Sequence, residues 1–339
     1  MNSTNTYNIQ LLKLSILLIG LLISININCQ QNDITVHDPV AIKQNNSYYL
    51  FCTGMGIKVL TSKDMKTWDK LNPVFDEAPA WAKDAIPTFK NHIWAPDISY
   101  YNNKYYLFYS VSAFGKNTSC IGLAVSKTLD PEDPDYKWED MGKVIQSVPG
   151  RDLWNAIDPN LAFDENGTPW LTFGSFWAGI KLVKLNNDLT APAQPEEWYT
   201  IAKRLRAYDR DDPDPGEGAI EAPFIFKKNN KYYLFVSFDY CCRGENSTYK
   251  IMVGRSNNIS GPYVDKEGVH MTSGGASLVL EGDEKWAGLG HNSVYNFNGT
   301  DYLIYHAYDV KDKGKPKLQI KKLNWDNDGW PIVITNKTN

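Results

Sequence analysis

The apolar positions of this chain fall in short, aromatic-rich runs broken by polar Asn and Gly pairs, with no stretch of 3.6-residue helical periodicity. One pattern recurs five times: a β-rich segment, an Asn/Gly turn, then an aromatic strand. The copies are QNNSYYLFCT (44–53), YNNKYYLFYS (101–110), ENGTPWLTFG (165–174), KNNKYYLFVS (228–237) and FNGTDYLIYH (297–306). Asn and Gly tolerate the positive φ of a tight hairpin turn, and the flanking β-branched and aromatic residues favour strands, so each copy predicts a hairpin. Tyr49, Tyr106, Trp170, Tyr233 and Tyr302 are equivalent, at spacings of 57, 64, 63 and 69. Further strands follow each hairpin (56–64, 120–128, 179–186, 249–257 and 317–324), and each unit then meets Trp68, Trp138, Trp198, Pro262 or Trp330. That period fits one four-stranded sheet per repeat. The fold expected is all-β: a five-bladed β-propeller with four-stranded blades around a central channel, spanning about residues 34–335. A sandwich gives no reason for five regular copies. The fifth unit, 291–334, holds enough chain for four strands, so the ring is expected to close without borrowing an N-terminal strand.

The first strand of a propeller blade runs along the channel, so the residue that opens it faces the axis. Counting back from the turns gives Asp38, Ala95, Asp158, Glu221 and His291, spaced 57, 63, 63 and 70. Three carboxylates converging on one pit repel one another's charge, a cost that folding alone does not require. Such clusters bind a cation or run acid/base chemistry with their pKa values pushed apart. Glycoside cleavage needs one protonated carboxyl for the leaving oxygen and one ionised carboxylate for water or for the anomeric carbon. Asp97, two residues off register, reads as structural, capping the bend of its strand.

Composition narrows the classes. With 42% hydrophobic and 22% charged residues the chain can build a full core, and a net charge of -4 with no long basic run argues against a nucleic-acid partner. Lys13 precedes an apolar run from Leu14 to Ile27, too short for a membrane span of ~20 residues, and residues 1–30 read as a removed secretory signal. A lipid-modified Cys29 is the rival reading. Residues 31–339 are then one catalytic propeller, expected to be a monomer with no membrane span. Cys52, Cys120, Cys241 and Cys242 are too few and scattered for a disulfide scaffold; the adjacent pair is a vicinal disulfide or two buried thiols. Trp94, Phe114, Phe176 and Trp177 follow first and second strands on the face of the acids, where flat rings stack sugars or merely pack the blades. His291 on the axis is structural, or holds a metal or a water cluster.

At these residues the chain resembles glycoside hydrolase family 43, and within it the α-L-arabinanases. The matching segments are VHDPV (36–40), WAPDI (94–98), NAIDPNLAFDENGTPWLTFGSFWAGI (155–180), AIEAPFIFKKNNKYYLFVSFDYCCRG (219–244), YKIMVGRS (249–256), GHNSV (290–294) and YHAYD (305–309), spread over all five repeats. The resemblance implies an inverting mechanism with Asp38 as general base, Glu221 as general acid and Asp158 tuning the pKa and orientation of Glu221. It implies substrate contacts at Asp38, Gly115, Asn155, Ala156, Ile157, Asp158, Ser175, Phe176 and Trp177, beside the aromatic candidates Trp94 and Phe114. It also implies a cation, usually Ca²⁺, with His291 as its protein ligand and water as the rest of its shell, and no organic cofactor. The expected activity is internal cleavage of α-1,5-linked arabinan by an exported enzyme. The alternatives are an exo-acting arabinofuranosidase or β-xylosidase, a retaining enzyme with Asp38 as nucleophile, and a non-catalytic carbohydrate-binding propeller. The acidic segment 204–218 is the candidate wall that would favour exo action.

Overall fold

A computed structural model describes residues 33–206 and 218–334; residues 1–30, expected to be a secretory signal, and most of the acidic 204–218 segment lie outside the described residues. Blade 1 comprises Val40–Gln44, Ser47–Cys52, Lys58–Ser62 and Asp69–Lys70. Blade 2 comprises His92–Tyr101, Lys104–Val111, Ser119–Ser126 and Glu139–Ser147, and Gly54–Met55 from the end of blade 1 pairs with its innermost strand. Blade 3 comprises Asn160–Phe163, Pro169–Phe173, Ile180–Lys184 and Trp198–Ala202, and blade 4 Ile220–Lys228, Lys231–Phe238, Lys250–Ser256 and Ser277–Leu280. Blade 5 comprises Trp286–Phe297, Thr300–Asp309 and Lys315–Lys322. Neighbouring strands in every blade are antiparallel, and the hairpin turns carry the positive φ that their Asn and Gly residues predict, as at Asn45, Asn103, Gly167, Asn230 and Asn298. One helix, Ala80–Ala85, lies in the connection from blade 1 to blade 2.

Closure of the ring departs from the expectation. The outer edge of Lys315–Lys322 is taken by the N-terminal segment: the Val36 N–H donates to Pro316 O at 3.2 Å, and the Leu318 N–H donates to Ile34 O at 2.9 Å. The last strands therefore have no edge to join. The Leu323 N–H turns back to Asp301 O, and Asn324–Trp325 with Pro331–Ile332 forms a separate two-stranded sheet. Trp325 leans on blade 4, stacked on Phe226 and edge-on to Tyr233.

The core has no single centre. Five apolar clusters lie between adjacent blades, such as Phe51, Ile93 and Tyr109 between blades 1 and 2, or Phe235, Leu289 and Tyr305 between blades 4 and 5. The cluster between blades 5 and 1 contains Val36, Leu50 and Leu318. Burial in every seam, rather than at the axis, leaves the channel free for polar groups.

Those polar groups are set by a ring of bonds between blades. The residue opening each inner strand has positive φ: Asp38 (53°), Ala95 (43°), Asp158 (59°), Ala222 (54°) and His291 (49°). Its N–H donates to the blade before it. Ala95 donates to Thr53 Oγ1 at 2.8 Å, Asp158 to Ser110 Oγ at 3.0 Å, His291 to Ser237 Oγ at 2.8 Å and Asp38 to His306 Nδ1 at 3.2 Å. These acceptors end their repeat copies. In the third copy that position is Gly174, which has no side chain to offer, and Ala222 donates instead to Asp158 Oδ2 at 3.1 Å. The register thus corrects the sequence alignment: Ala222, not Glu221, is equivalent to Asp38, Asp158 and His291. Glu221 sits one residue earlier, matched with Trp94, where the pairing of both strands is interrupted by a bulge. Asp97 is structural as expected, but it clamps two blades rather than capping its own strand: it accepts from the Asn160 side chain at 3.1 Å and from the Leu161 N–H at 2.8 Å.

Candidate active site

The channel opens into a cavity of about 1010 Å³ whose wall includes Asp38, Asp158, Glu221 and His291. Asp38 is the most heavily partnered. Its Oδ1 lies 2.8 Å from His37 Nδ1, 3.0 Å from His291 Nδ1 and 3.7 Å from His306 Nδ1, and its Oδ2 accepts from the Thr53 hydroxyl. Burial pushes its pKa up, but the charge and hydrogen bonds of His291 and His37 outweigh burial and hold the carboxyl well below its usual range. Asp38 is ionised at neutral pH. His291 is the reciprocal case: burial opposes its charge, yet Asp38 first and then Asp158 and Glu221 raise it to about 9. His306, buried and beside His37, is pushed well below the usual histidine range and stays neutral.

Glu221 stands at the opposite extreme. Burial and then the Asp158 charge raise it to about 8, against the hydrogen bond from Ser175 and the charge of His291. Its Oε2 lies 2.5 Å from Ser175 Oγ, and its Oε1 is hydrogen-bonded to the Tyr249 hydroxyl. Asp158 is raised to about 6 by burial, moderated by His291. Its bond from the Ala222 N–H pins it next to the Glu221 backbone. One cavity therefore holds an ionised carboxylate, a protonated carboxyl and a third carboxylate whose charge acts on the second. This is the division of labour that general acid/base cleavage requires.

Most other candidates line the same cavity: Trp94, Phe114, Gly115, Asn155, Ile157, Ser175, Phe176 and Trp177. Phe114 is 80% exposed, and Gly115 beside it has φ 71° with open space where a side chain would sit. Phe176 and Trp177 are turned inward by consecutive positive φ values, with the Phe176 N–H anchored on Ile220 O at 2.8 Å. Asn155 Oδ1 accepts from Ser119 Oγ at 2.6 Å. Ala156 departs from expectation: it is fully buried, is no part of the wall and donates its N–H to Ser147 Oγ at 3.0 Å. It holds the 155–158 turn rather than facing a ligand.

Four partners were not singled out by the sequence: His37, Thr53, Tyr249 and His306. The signal for two of them lay in the final position of the repeat, which reads Thr, Ser, Gly, Ser, His. Cys241 and Cys242 form a vicinal disulfide, whereas Cys52 and Cys120 are free and buried. Among the described residues, His37, Asp38 and His306 bring donor atoms close enough to share an ion, and His291 is not in that group; His37 also lies near Cys241 and Cys242, whose sulfurs are spent in their disulfide.

The model of the glycosyl hydrolases of family 43 matches residues 33–331. The chain is 52% identical to an extracellular exo-α-(1→5)-L-arabinofuranosidase of Cellvibrio japonicus, over 92% of this chain and 90% of that protein. It is 46% identical to an extracellular endo-α-(1→5)-L-arabinanase of Bacillus subtilis, over 87% of each. Among solved structures, an α-L-arabinanase of Cellvibrio cellulosa complexed with arabinohexaose superposes with a TM-score of 0.88 at 52% identity, covering 89% of this chain and 96% of that one.

Proposed function

We infer that this chain, which belongs to glycosyl hydrolase family 43, hydrolyses α-1,5-linked arabinan with inversion at the anomeric carbon. The observation that carries the reading is the contrast, within one cavity, between Asp38 held by His37 and His291 and Glu221 held by the hydroxyls of Ser175 and Tyr249 beside Asp158, which favours the ionised form of the first and the protonated form of the second. Ionised Asp38 takes a proton from water as the water attacks the anomeric carbon. Protonated Glu221 gives its proton to the departing glycosidic oxygen. Asp158 keeps that proton on Glu221 at neutral pH by its charge and orients the acid through the Ala222 backbone. An arabinohexaose complex of a relative supports an oligosaccharide as the occupant of the cavity. The extracellular names of two relatives support export.

The mode of attack rests on likeness. Greater identity to the exo-acting Cellvibrio japonicus enzyme favours release from a chain end, and similarity to the Bacillus subtilis enzyme favours internal cleavage, the expectation from sequence. We adopt release from a chain end. A cation at His291 is a further part of the reading. His291 commits Nδ1 to Asp38, which leaves Nε2 as the single protein donor, and water would supply the other ligands that Ca²⁺ needs. The ion would replace the proton that the carboxylates otherwise keep on the imidazole, and would supply positive charge to the same three acids.

The test is incubation with linear α-1,5-arabinan, following product lengths by chromatography and product anomers by NMR, with Asp38→Ala as control. A single short product of inverted configuration, absent with the variant, is expected. Mixed early oligosaccharides would establish internal cleavage instead. Retained configuration would overturn the mechanism.

A further inference from the structure

One wall of the cavity has no part in the mechanism above. It is formed by Tyr240, Arg243 and the disulfide between Cys241 and Cys242. A bridge between adjacent residues closes no loop of unfolded chain, and the entropic stabilisation by a disulfide grows with the loop it closes. Global stability is therefore no explanation for this one. Its effect is local. It removes two S–H groups and leaves a small, rigid, polarizable apolar surface where free thiols would rotate and ionise.

The surroundings fix where that surface faces. Cys242 is exposed to the cavity, and its backbone is held at φ 65°, with the N–H donating to the Tyr308 hydroxyl at 2.8 Å. The same hydroxyl lies 2.8 Å from His37 Nε2, and Cys242 Sγ lies 3.8 Å from that atom. His37 pairs with Asp38, so the disulfide stands on the base side of the cavity. Beside it the Arg243 guanidinium stacks 4.0 Å over the Tyr240 ring, which meets Phe176 at 5.9 Å. The wall is thus an apolar plate flanked by a stacked aromatic ring and a planar donor. That is the composition that binds the apolar face of a sugar ring and its hydroxyl edge.

We propose that the Cys241–Cys242 disulfide is the floor of a sugar subsite in the catalytic cavity, packing against a pentose ring of the oligosaccharide next to the unit being cleaved. The proposal rests on the reading that the cavity cleaves arabinan. Reduction by a dithiol breaks the S–S bond; the reagent becomes a disulfide, and Cys241 and Cys242 each take a proton as thiols. In the folded chain, treated with dithiothreitol and then desalted, the newly accessible thiols are counted with a chromogenic disulfide. Steady-state kinetics on arabinohexaose follow, with reoxidation as the reversal. Loss of binding shared by ground and transition states raises KM and spares kcat, so KM is expected to rise about tenfold with kcat changed less than about twofold. The Cys241→Ser/Cys242→Ser double variant, checked for an unshifted unfolding midpoint, is expected to match the reduced enzyme and not to respond to the dithiol. An unchanged KM in the reduced enzyme or in the folded double variant would overturn the subsite, as would a loss confined to kcat. No cleavage by the untreated, oxidised enzyme would instead sink the arabinanase reading itself.

Discussion

Asp38 and Glu221 share one cavity, yet end at opposite protonation states because of where the positive charge lies. His291 and His37 both touch Asp38, whereas Glu221 is hydrogen-bonded to the hydroxyls of Ser175 and Tyr249 and feels Asp158 as its main charge. A pH prediction follows. The reaction needs Glu221 protonated, so kcat/KM should fall as pH rises through about 8. Asp158→Asn removes the negative charge that raises Glu221 and should move this alkaline limb to lower pH, by about one unit. It should also lower the rate at every pH, because the oriented carboxylate is gone. A pH–rate profile on arabino-oligosaccharides checks both; an unmoved limb would remove Asp158 from the role of tuning Glu221. The three acids were legible because a carboxylate recurs at, or one residue before, the residue that opens an inner strand, more often than blade packing requires. Their partners were not. His306 meets the Asp38 backbone across 268 residues, a juxtaposition that only the closed ring creates.

At the scale of the element, the inner strands do two jobs at once: their first residues carry the chemistry, and their backbones bind each blade to the one before. Asp97 isolates the second job. It is buried, raised to about 7 by that burial, and bonded to the Asn160 side chain and the Leu161 N–H of the next blade. Asp97→Ala strands both donors in a buried seam, and each such orphan costs about 1–3 kcal/mol. A drop in unfolding free energy of about 3 kcal/mol is expected, with kcat of the folded fraction within about twofold of wild type. Denaturant unfolding with parallel kinetics decides; a large loss of kcat at unchanged stability would make Asp97 part of the chemistry. Hairpins and their turns were readable from the sequence because Asn and Gly pairs dictate local backbone geometry. The one-residue misplacement of Glu221 was not, because a bulge inserts its extra residue without any composition signal, and a period-two pattern then slips by one.

The molecule as a whole is a closed chain of seams. Each apolar cluster belongs to two blades, so no blade has a core of its own, and the last seam depends on the chain's first described residues. Five blades could be counted from five repeats, since each repeat is local. Closure could not, since residues 33–36 are too few to show any strand pattern and their partner is Lys315–Lys322, at the far end of the chain. The sequence favoured a fourth strand from within unit 291–334 because enough residues were there; the structure gives that edge to Ile34–Val36. Two features hold it. Val36 is 3% exposed within the seam of blades 5 and 1, and the buried Lys317 ammonium ties Asp33 at 3.5 Å to Asp309 and Asp312 at 3.0 Å each. Val36→Pro removes the N–H that bonds Pro316 O, at a cost of about 1–2 kcal/mol, before any strain from the proline ring. Val36→Ala keeps that bond and loses only buried methyl groups, about 1–2 kcal/mol. If the first segment closes the ring, both variants should unfold in one cooperative transition at a lower midpoint than wild type, with the proline variant lower. The proline variant should also lose activity before global unfolding as it is warmed, because Val36 leads directly into His37 and Asp38. Thermal scans followed by fluorescence and by arabinan hydrolysis measure this. Wild-type midpoints for both variants would mean that the ring is closed by blade 5 alone, as the repeat count first suggested.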